Sequence, residues 1–146
     1  MNKVGIIALN CPEIQSLIHV KRFQKEISSG IIDKYTIHIN CKRLGFEGEA
    51  FLLLKVKGDI EDTIDQLMNI PEIRCIYRIT GTFDLLVCAS CMDMESLTQL
   101  IDKVSNLPNI VDSENIVILD IIQEKPYPDP EVIRKAMLRA LKAKSR

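Results

Sequence analysis

The hydrophobic pattern of residues 49–122 alternates between the strand period and the helix period, and this constrains the fold more than any other feature. Residues 49–57 alternate with the two-residue period of a strand. After Asp59, apolar residues recur every three or four positions, as in an amphipathic helix. The predicted order is a strand at 49–57, a helix at 60–68, strands at 73–80 and 83–89, a helix at 94–107 and a strand at 115–122. This order predicts an α+β, ferredoxin-like βαββαβ sandwich, with an antiparallel sheet and two helices on one face.

Apolar residues occupy both faces of the predicted strands. Phe83, Leu85 and Val87 alternate with Leu86 and Cys88 within one strand. Two helices cover only one face of an antiparallel sheet, and the second face is normally polar. Because an apolar second face usually marks an interface, we predict that two copies of the chain pair through their sheets. The alternative is that the chain's own ends cover this face.

Charge is distributed unevenly along the chain. The 146 residues suffice for one domain, and the net charge of -1 argues, as an average, against bulk binding of nucleic acid or anionic membranes. Residues 48–125, however, hold six Lys/Arg and fourteen Asp/Glu, a net charge of -8. Residues 1–47 hold seven against four, and residues 126–146 hold six against two. Contact with DNA is therefore restricted to the two basic ends.

Cysteine usage and hydropathy indicate the compartment. The five cysteines are odd in number and irregularly spaced, which argues against a disulfide framework. There is no signal-peptide pattern, and no apolar run approaches the ~20 residues of a membrane-spanning helix. We predict a cytoplasmic protein in a reducing environment, without membrane association.

Three stretches of the predicted domain resemble the ligand-sensing domain of the Lrp/AsnC family of transcriptional regulators. They are residues 50–56, 70–87 and 106–111, and the Thr-Gly-x-x-Asp-Leu-Leu motif at positions 80–86 is the most specific part. Residues 20–36 also resemble the end of the family's recognition helix. The resemblance implies the same fold, dimers that pair through the sheets, further assembly into tetramers or octamers, and an amino acid as effector.

The resemblance, together with the segments that depart from the family pattern at both ends, predicts a division into domains. Residues 1–36 correspond to a truncated or degenerate winged-helix-like head, because only about fourteen residues precede the candidate recognition helix. Residues 37–48 correspond to a linker, and residues 49–125 to the ferredoxin-like effector-sensing and oligomerisation domain. Residues 126–146 form a proline-rich linker followed by a basic amphipathic helix.

One short segment is the candidate effector site that the resemblance implies, and it consists of Thr80, Gly81, Thr82, Phe83 and Asp84. Its main-chain N–H groups would bind the carboxylate of an amino acid, and the Asp84 carboxylate would accept from the ammonium group. From the residues alone, the segment is also explained as a turn in which Gly81 permits a positive φ, followed by a solvent-exposed aspartate.

Cys88 and Cys91 have the spacing of a redox pair or of half a metal site. They lie at the end of a predicted strand, where residues three apart point to opposite faces, and His19 and His38 are distant in sequence. We therefore predict core packing for both cysteines, with a redox role as the alternative.

We predict no metal site, no cofactor and no catalytic residues. An enzyme on the same fold is the third functional hypothesis.

Basic side chains could contact DNA at either end of the chain. Lys21, Arg22 and Lys25 share one predicted helical face, which contacts phosphates or is simply solvated. The helix predicted at 131–144 has an apolar stripe, which suits docking on protein, and its remaining residues are basic, which suits contact with nucleic acid.

We predict a transcriptional regulator in which an amino acid or similar metabolite controls oligomerisation and DNA binding. The alternative is a stand-alone ligand-sensing and oligomerisation module without DNA binding.

Overall fold

The elements between residues 48 and 117 follow the predicted βαββαβ order. The computed structural model describes residues 28–30, 32–34 and 36–145, so Lys21, Arg22, Lys25 and most of the predicted head lie outside the described residues. The elements are β1 (Gly48–Val56), α1 (Ile60–Met68), β2 (Ile73–Arg78), β3 (Leu85–Cys91), α2 (Met94–Ser105), β4 (Ile110–Val117) and α3 (Pro130–Lys144), preceded by a 3-10 helix at Cys41–Leu44.

The chain divides into two units between Cys41 and Lys42. Among the described residues of the first unit, Ile37 and Ile39 are exposed. The second unit, Lys42–Arg146, contains the whole sheet. The division falls inside the segment predicted as a linker, residues 37–48, and the bounds of that linker stay a prediction.

The four strands form one antiparallel sheet in the order β2-β3-β1-β4. β1 is central and is hydrogen-bonded on both sides. It pairs with β3 from Gly48↔Cys91 to Leu54↔Leu85, and with β4 from Ala50↔Val117 to Val56↔Ile110. The predicted α+β class and ferredoxin-like architecture are therefore confirmed.

The core lies between one face of this sheet and the helices α1 and α2. The alternating residues Ala50, Leu52 and Leu54 of β1 are 1%, 0% and 0% exposed. Burial of such a row is the main driving force for the packing of helices on a sheet. The other buried members of the same cluster are Leu67, Ile70, Leu85, Val87, Ala89, Cys91, Leu97, Leu100 and Val104.

An aspartate N-cap precedes each of the helices α1, α2 and α3. Asp59 accepts hydrogen bonds at Oδ1 from the N–H groups of Glu61 (3.0 Å) and Asp62 (3.3 Å), which is the geometry of an N-cap. Asp93 accepts from the N–H of Ser96 at 2.7 Å, and this bond lowers the pKa of the Asp93 carboxyl. Asp129 caps α3 in the same way, and Pro130 follows it at the first helical position.

The last strand lies earlier in the chain than predicted. The apolar run suggested residues 115–122, but β4 is Ile110–Val117. Its position is set by its partner, because an antiparallel strand extends only as far as β1 offers hydrogen bonds. Ile118 N–H still donates to Glu49 O (2.9 Å), close to the beginning of β1, and the chain then leaves the sheet.

The C-terminal helix α3 is confirmed close to its predicted bounds. None of its own side chains is buried. Val132, Met137, Leu138 and Leu141 are all exposed. No helix in the described part of the chain is long and apolar enough to cross a membrane.

Candidate functional site

The five predicted effector residues lie together in the loop between β2 and β3. The loop closes through a hydrogen bond from Ile79 N–H to Asp84 O at 3.0 Å. Thr80, Gly81 and Thr82 are exposed, and Phe83 is half-buried. Gly81 has a φ of 113°, a backbone conformation that residues with a Cβ rarely adopt. Apart from its chain neighbours, no atom lies within 4 Å of the position that a Cβ would take. The loop therefore presents hydroxyl and main-chain groups to an open surface.

Asp84 differs from the solvent-exposed aspartate that the turn interpretation predicted. It is half-buried, and its Oδ2 accepts a hydrogen bond from the N–H of Val56 at 2.8 Å. Its own N–H donates to Leu54 O at 2.9 Å. Both bonds join the loop to the end of the central strand β1, so the carboxylate is held in a fixed position.

Charged groups surround this end of the sheet. Arg78, the last residue of β2, forms an ion pair with Glu61 in the first turn of α1. Asn109 donates from Nδ2 to Asp59 O (3.2 Å) and to Asp62 Oδ2 (3.3 Å). Carboxylates and cations therefore both lie near this end of the sheet, and Lys57 is bonded through its N–H to Asn109 O.

A cavity of about 450 Å³ lies at the opposite end of the sheet. It is formed between the face that the helices leave uncovered and the segment after β4. Its lining residues come from β1, β2, β3 and residues 118–124, and they are Glu49, Ala50, Phe51, Arg74, Cys75, Tyr77, Cys88, Ala89, Ser90, Ile118, Asp120, Ile121, Gln123 and Glu124. The five loop residues are not among them.

Most charged groups of this cavity are paired. The Arg74 guanidinium lies 3.6 Å from Glu49 Oε1, and Ser90 Oγ donates to the same oxygen at 3.4 Å. Asp120 pairs with Lys42 at 3.6 Å. The Lys42–Asp120 pair is exposed on both sides, so its contribution to stability is small.

Two cysteines face each other on the wall of this cavity. Cys75 of β2 is directly opposite Cys88 of β3 in the sheet register, and both are free thiols. Burial, together with the neighbouring Cys75 thiol, raises the pKa of Cys88 to about 11. Cys91 lies in the core on the other face, as predicted, and burial is the main cause of its raised pKa. Within the described residues, no group of three or more His, Cys, Asp or Glu side chains could hold a metal ion.

The uncovered face of the sheet remains largely apolar beyond the cavity. Phe51, Leu53 and Leu86 are half-buried, and Tyr77 and Ile116 are exposed. The segment 118–124 covers one end of the face, as the alternative to sheet pairing suggested, but it leaves these side chains accessible. An apolar surface of this kind is typical of an interface.

The sequence did not indicate the cavity. Arg74 and Glu49 have no motif spacing, and the cavity depends on residues 118–124 leaving the sheet, where a strand was predicted. The one available signal was the mixture of charged and apolar residues in that segment, where Asp120 and Glu124 follow an apolar run.

Residues 49–128 match the family model of the Lrp/AsnC ligand binding domain. The HTH-type transcriptional regulator FL11 of Pyrococcus horikoshii is 32% identical over 111 residues, which are 75% of this chain and 73% of that protein. In structure, the chain is similar to a transcriptional regulator of Neisseria meningitidis solved in complex with L-methionine, with a TM-score of 0.70, 19% identity and 77% of each chain covered. It is also similar to AsnC of E. coli, with a TM-score of 0.69, 22% identity, and 75% of this chain and 76% of that chain covered. These two structures establish the similarity of the fold.

Replacement of Asp84 by alanine should lower the free energy of unfolding by about 1–3 kcal/mol, because the half-buried N–H of Val56 then has no charged acceptor. Asp84→Asn keeps an oxygen acceptor and should lose less. Urea unfolding followed by circular dichroism measures both, with Asp65→Ala, an exposed carboxylate on α1, as the control. Equal stability of Asp84→Ala and Asp65→Ala would show that the bond to Val56 does not hold the loop.

Proposed function

The chain belongs to the Lrp/AsnC family of transcriptional regulators, and we propose that its sheet-and-helix domain binds an amino acid that controls oligomerisation and DNA binding. One observation carries this proposal. The family's ligand-binding domain matches residues 49–128, which span the sheet together with α1 and α2. In line with relatives that are transcriptional regulators, the proposed role is regulation and not catalysis.

The residues proposed to bind the effector are Thr80, Gly81, Thr82, Phe83 and Asp84. An amino acid needs hydrogen-bond donors for its carboxylate and an acceptor for its ammonium group. The exposed stretch Thr80–Thr82 supplies hydroxyl and main-chain donors, and Asp84 supplies a carboxylate whose position is held by Val56. The Asp84 carboxylate is the group proposed to accept from the ammonium group.

L-methionine is the first effector to test. The structurally similar regulator of Neisseria meningitidis was solved in complex with it. Phe83 lies half-buried next to the exposed threonines and offers an apolar contact to a side chain of this kind. Other amino acids with apolar side chains form the next group.

The oligomer is proposed to be a dimer that pairs through the uncovered sheet faces, with further assembly into tetramers or octamers. Phe51, Leu53, Leu86, Tyr77 and Ile116 support this arrangement, because they leave an apolar surface on the face opposite the helices. A ligand shifts such an assembly only if it binds two of its states with different affinity. The effector would therefore act by favouring one assembly over another.

DNA contact is proposed for the basic ends of the chain. Residues 48–125 carry fourteen Asp/Glu against six Lys/Arg and would repel DNA, so Lys21, Arg22 and Lys25 remain the proposed contacts. The exposed basic residues of α3 are a second source of positive charge. Because a regulator acts where its DNA lies, we place the chain in the cytoplasm. Without DNA contact, the chain would be a stand-alone sensing module.

At least one amino acid should raise the melting temperature of the full chain, and a ligand at one hundred times its Kd stabilises by about 2.7 kcal/mol. Thr82→Val removes a hydroxyl from the loop and should weaken binding by up to about tenfold, the value of one hydrogen bond. A thermal-shift screen of the twenty amino acids followed by titration calorimetry measures both effects. Thr98→Val, an exposed threonine on α2, is the matched control, and the absence of any shift would contradict effector binding.

Leu53→Lys should convert the dimer to a monomer, because pairing of the faces would remove the new charge from water, a cost that the opposite residue Glu114 offsets only in part. Sedimentation equilibrium gives the mass, and circular dichroism verifies that the variant is folded. Met68→Lys changes an exposed apolar residue on α1 and should leave the mass unchanged. A monomeric parent chain, or a dimer that survives Leu53→Lys, would exclude pairing through this face.

Binding to non-specific duplex DNA should weaken with salt, since each phosphate contact contributes about 0.9 to the slope of log affinity against log salt. Changing Lys21, Arg22 and Lys25 together to Ala should reduce that slope by about 3. The pair Lys55→Ala and Lys57→Ala, within the acidic domain, serves as the control. A slope near zero for the parent chain would leave the stand-alone module as the function.

A further inference from the structure

The sheet brings together two cysteines that are distant in the sequence. Cys75 and Cys88 are directly opposite residues of the antiparallel strands β2 and β3. Opposite residues of such strands have Cα atoms about 4.5 or 5.5 Å apart, and both values lie within the range of about 4.4–6.8 Å that a disulfide spans. The backbone therefore already has the separation that a disulfide between these residues requires.

The two side chains are also near each other. The neighbouring Cys75 thiol contributes to the raised pKa of Cys88 and raises the pKa of Tyr77. Cys75 is half-buried, while Cys88 is only 8% exposed. Cys75 is thus the thiol that a reagent from solvent meets first, and Cys88 lies behind it.

Two further features give small molecules access to the pair and give the strand room to adjust. Both thiols line the cavity of about 450 Å³, which is within the usual size of small-molecule sites. β2 is an edge strand, and the register between β2 and β3 shifts between Ile73 and Cys75, immediately beside the pair. An edge strand with such an irregularity can adjust its position more easily than a central strand.

We propose that Cys75 and Cys88 form a reversible thiol–disulfide pair that closes when a low-molecular-weight disulfide enters the cavity. The thiolate of Cys75 attacks one sulfur of the reagent RSSR, which forms a mixed disulfide and releases RS⁻. Cys88 loses its proton to solvent, and its thiolate then attacks the Cys75 sulfur and releases the second RS⁻. In total, two protein thiols are oxidised, one RSSR is reduced to two RSH, and the protein loses two hydrogen atoms.

The bond would join the edge strand β2 covalently to β3 on the uncovered face of the sheet. It involves neither the loop at residues 80–84 nor the basic ends of the chain. The inference therefore goes beyond effector binding and DNA contact, and it can succeed or fail independently of both.

The test oxidises the full chain with glutathione disulfide under native conditions. Remaining thiols are then blocked with N-ethylmaleimide after unfolding, and the protein is digested with trypsin. Cleavage after Arg74 and Arg78 gives the fragment 75–78, which contains Cys75 alone, while the fragment 79–103 contains both Cys88 and Cys91. The same digest is therefore made on the Cys91→Ala variant, in which Cys88 is the sole thiol of the larger fragment.

We expect the two fragments to be linked in the parent chain and in Cys91→Ala, with two fewer alkylated thiols per chain than in a reduced control, and with full recovery of those thiols in dithiothreitol. In Cys88→Ala, the mixed disulfide of Cys75 with glutathione should accumulate, because no second thiol displaces it. The proposal is overturned if the link is lost in Cys91→Ala, if Cys75 of the parent chain stops at the mixed disulfide, or if both cysteines remain alkylated.

Discussion

The structure depends on the division of β1 into two rows of side chains. One row, Ala50, Leu52 and Leu54, is buried beneath α1 and α2, and β1 is hydrogen-bonded on both of its edges. The other row includes Phe51 and Leu53 and points to the face that the helices do not cover. Because side chains alternate strictly along a strand, a shift of one residue would exchange the two rows. The same alternation therefore creates the core and leaves the apolar surface available for a second chain.

Local features of the sequence were sufficient to predict most of the fold. The hydrophobic periods of the helices are properties of neighbouring residues, and they predicted α1 and α2 with small errors at their ends. β4 was predicted five residues too late, because hydrophobicity favoured residues 115–122 while pairing with β1 selected Ile110–Val117. In that pairing Asp112 lies opposite Lys55, so opposite charges face each other at a position that hydrophobicity alone would not include.

The candidate sites were predictable only where their residues are contiguous in the sequence. The loop from Thr80 to Asp84 is contiguous, so its residues were found together. The hydrogen bond between Asp84 and Val56 joins residues 28 positions apart, and no spacing in the sequence indicates it. The same limit applies to the cysteines, because spacing associated Cys88 with Cys91, whereas the register of the sheet associates it with Cys75. The two ends of the sheet thus differ in chemistry, with hydroxyl and carboxylate groups at the loop and thiols in the cavity.

The bond between Asp84 and Val56 would connect a ligand at the proposed loop site to the end of the central strand. Oδ2 already accepts from the last residue of the central strand, immediately before the turn into α1. An ammonium group that bound the same oxygen would share its charge with the Val56 N–H, and the bond that joins the end of β1 to the loop would weaken. A ligand that uses the other carboxylate oxygen leaves the strand end intact. The choice of oxygen would therefore separate ligands that only occupy the loop from those that also loosen the end of β1.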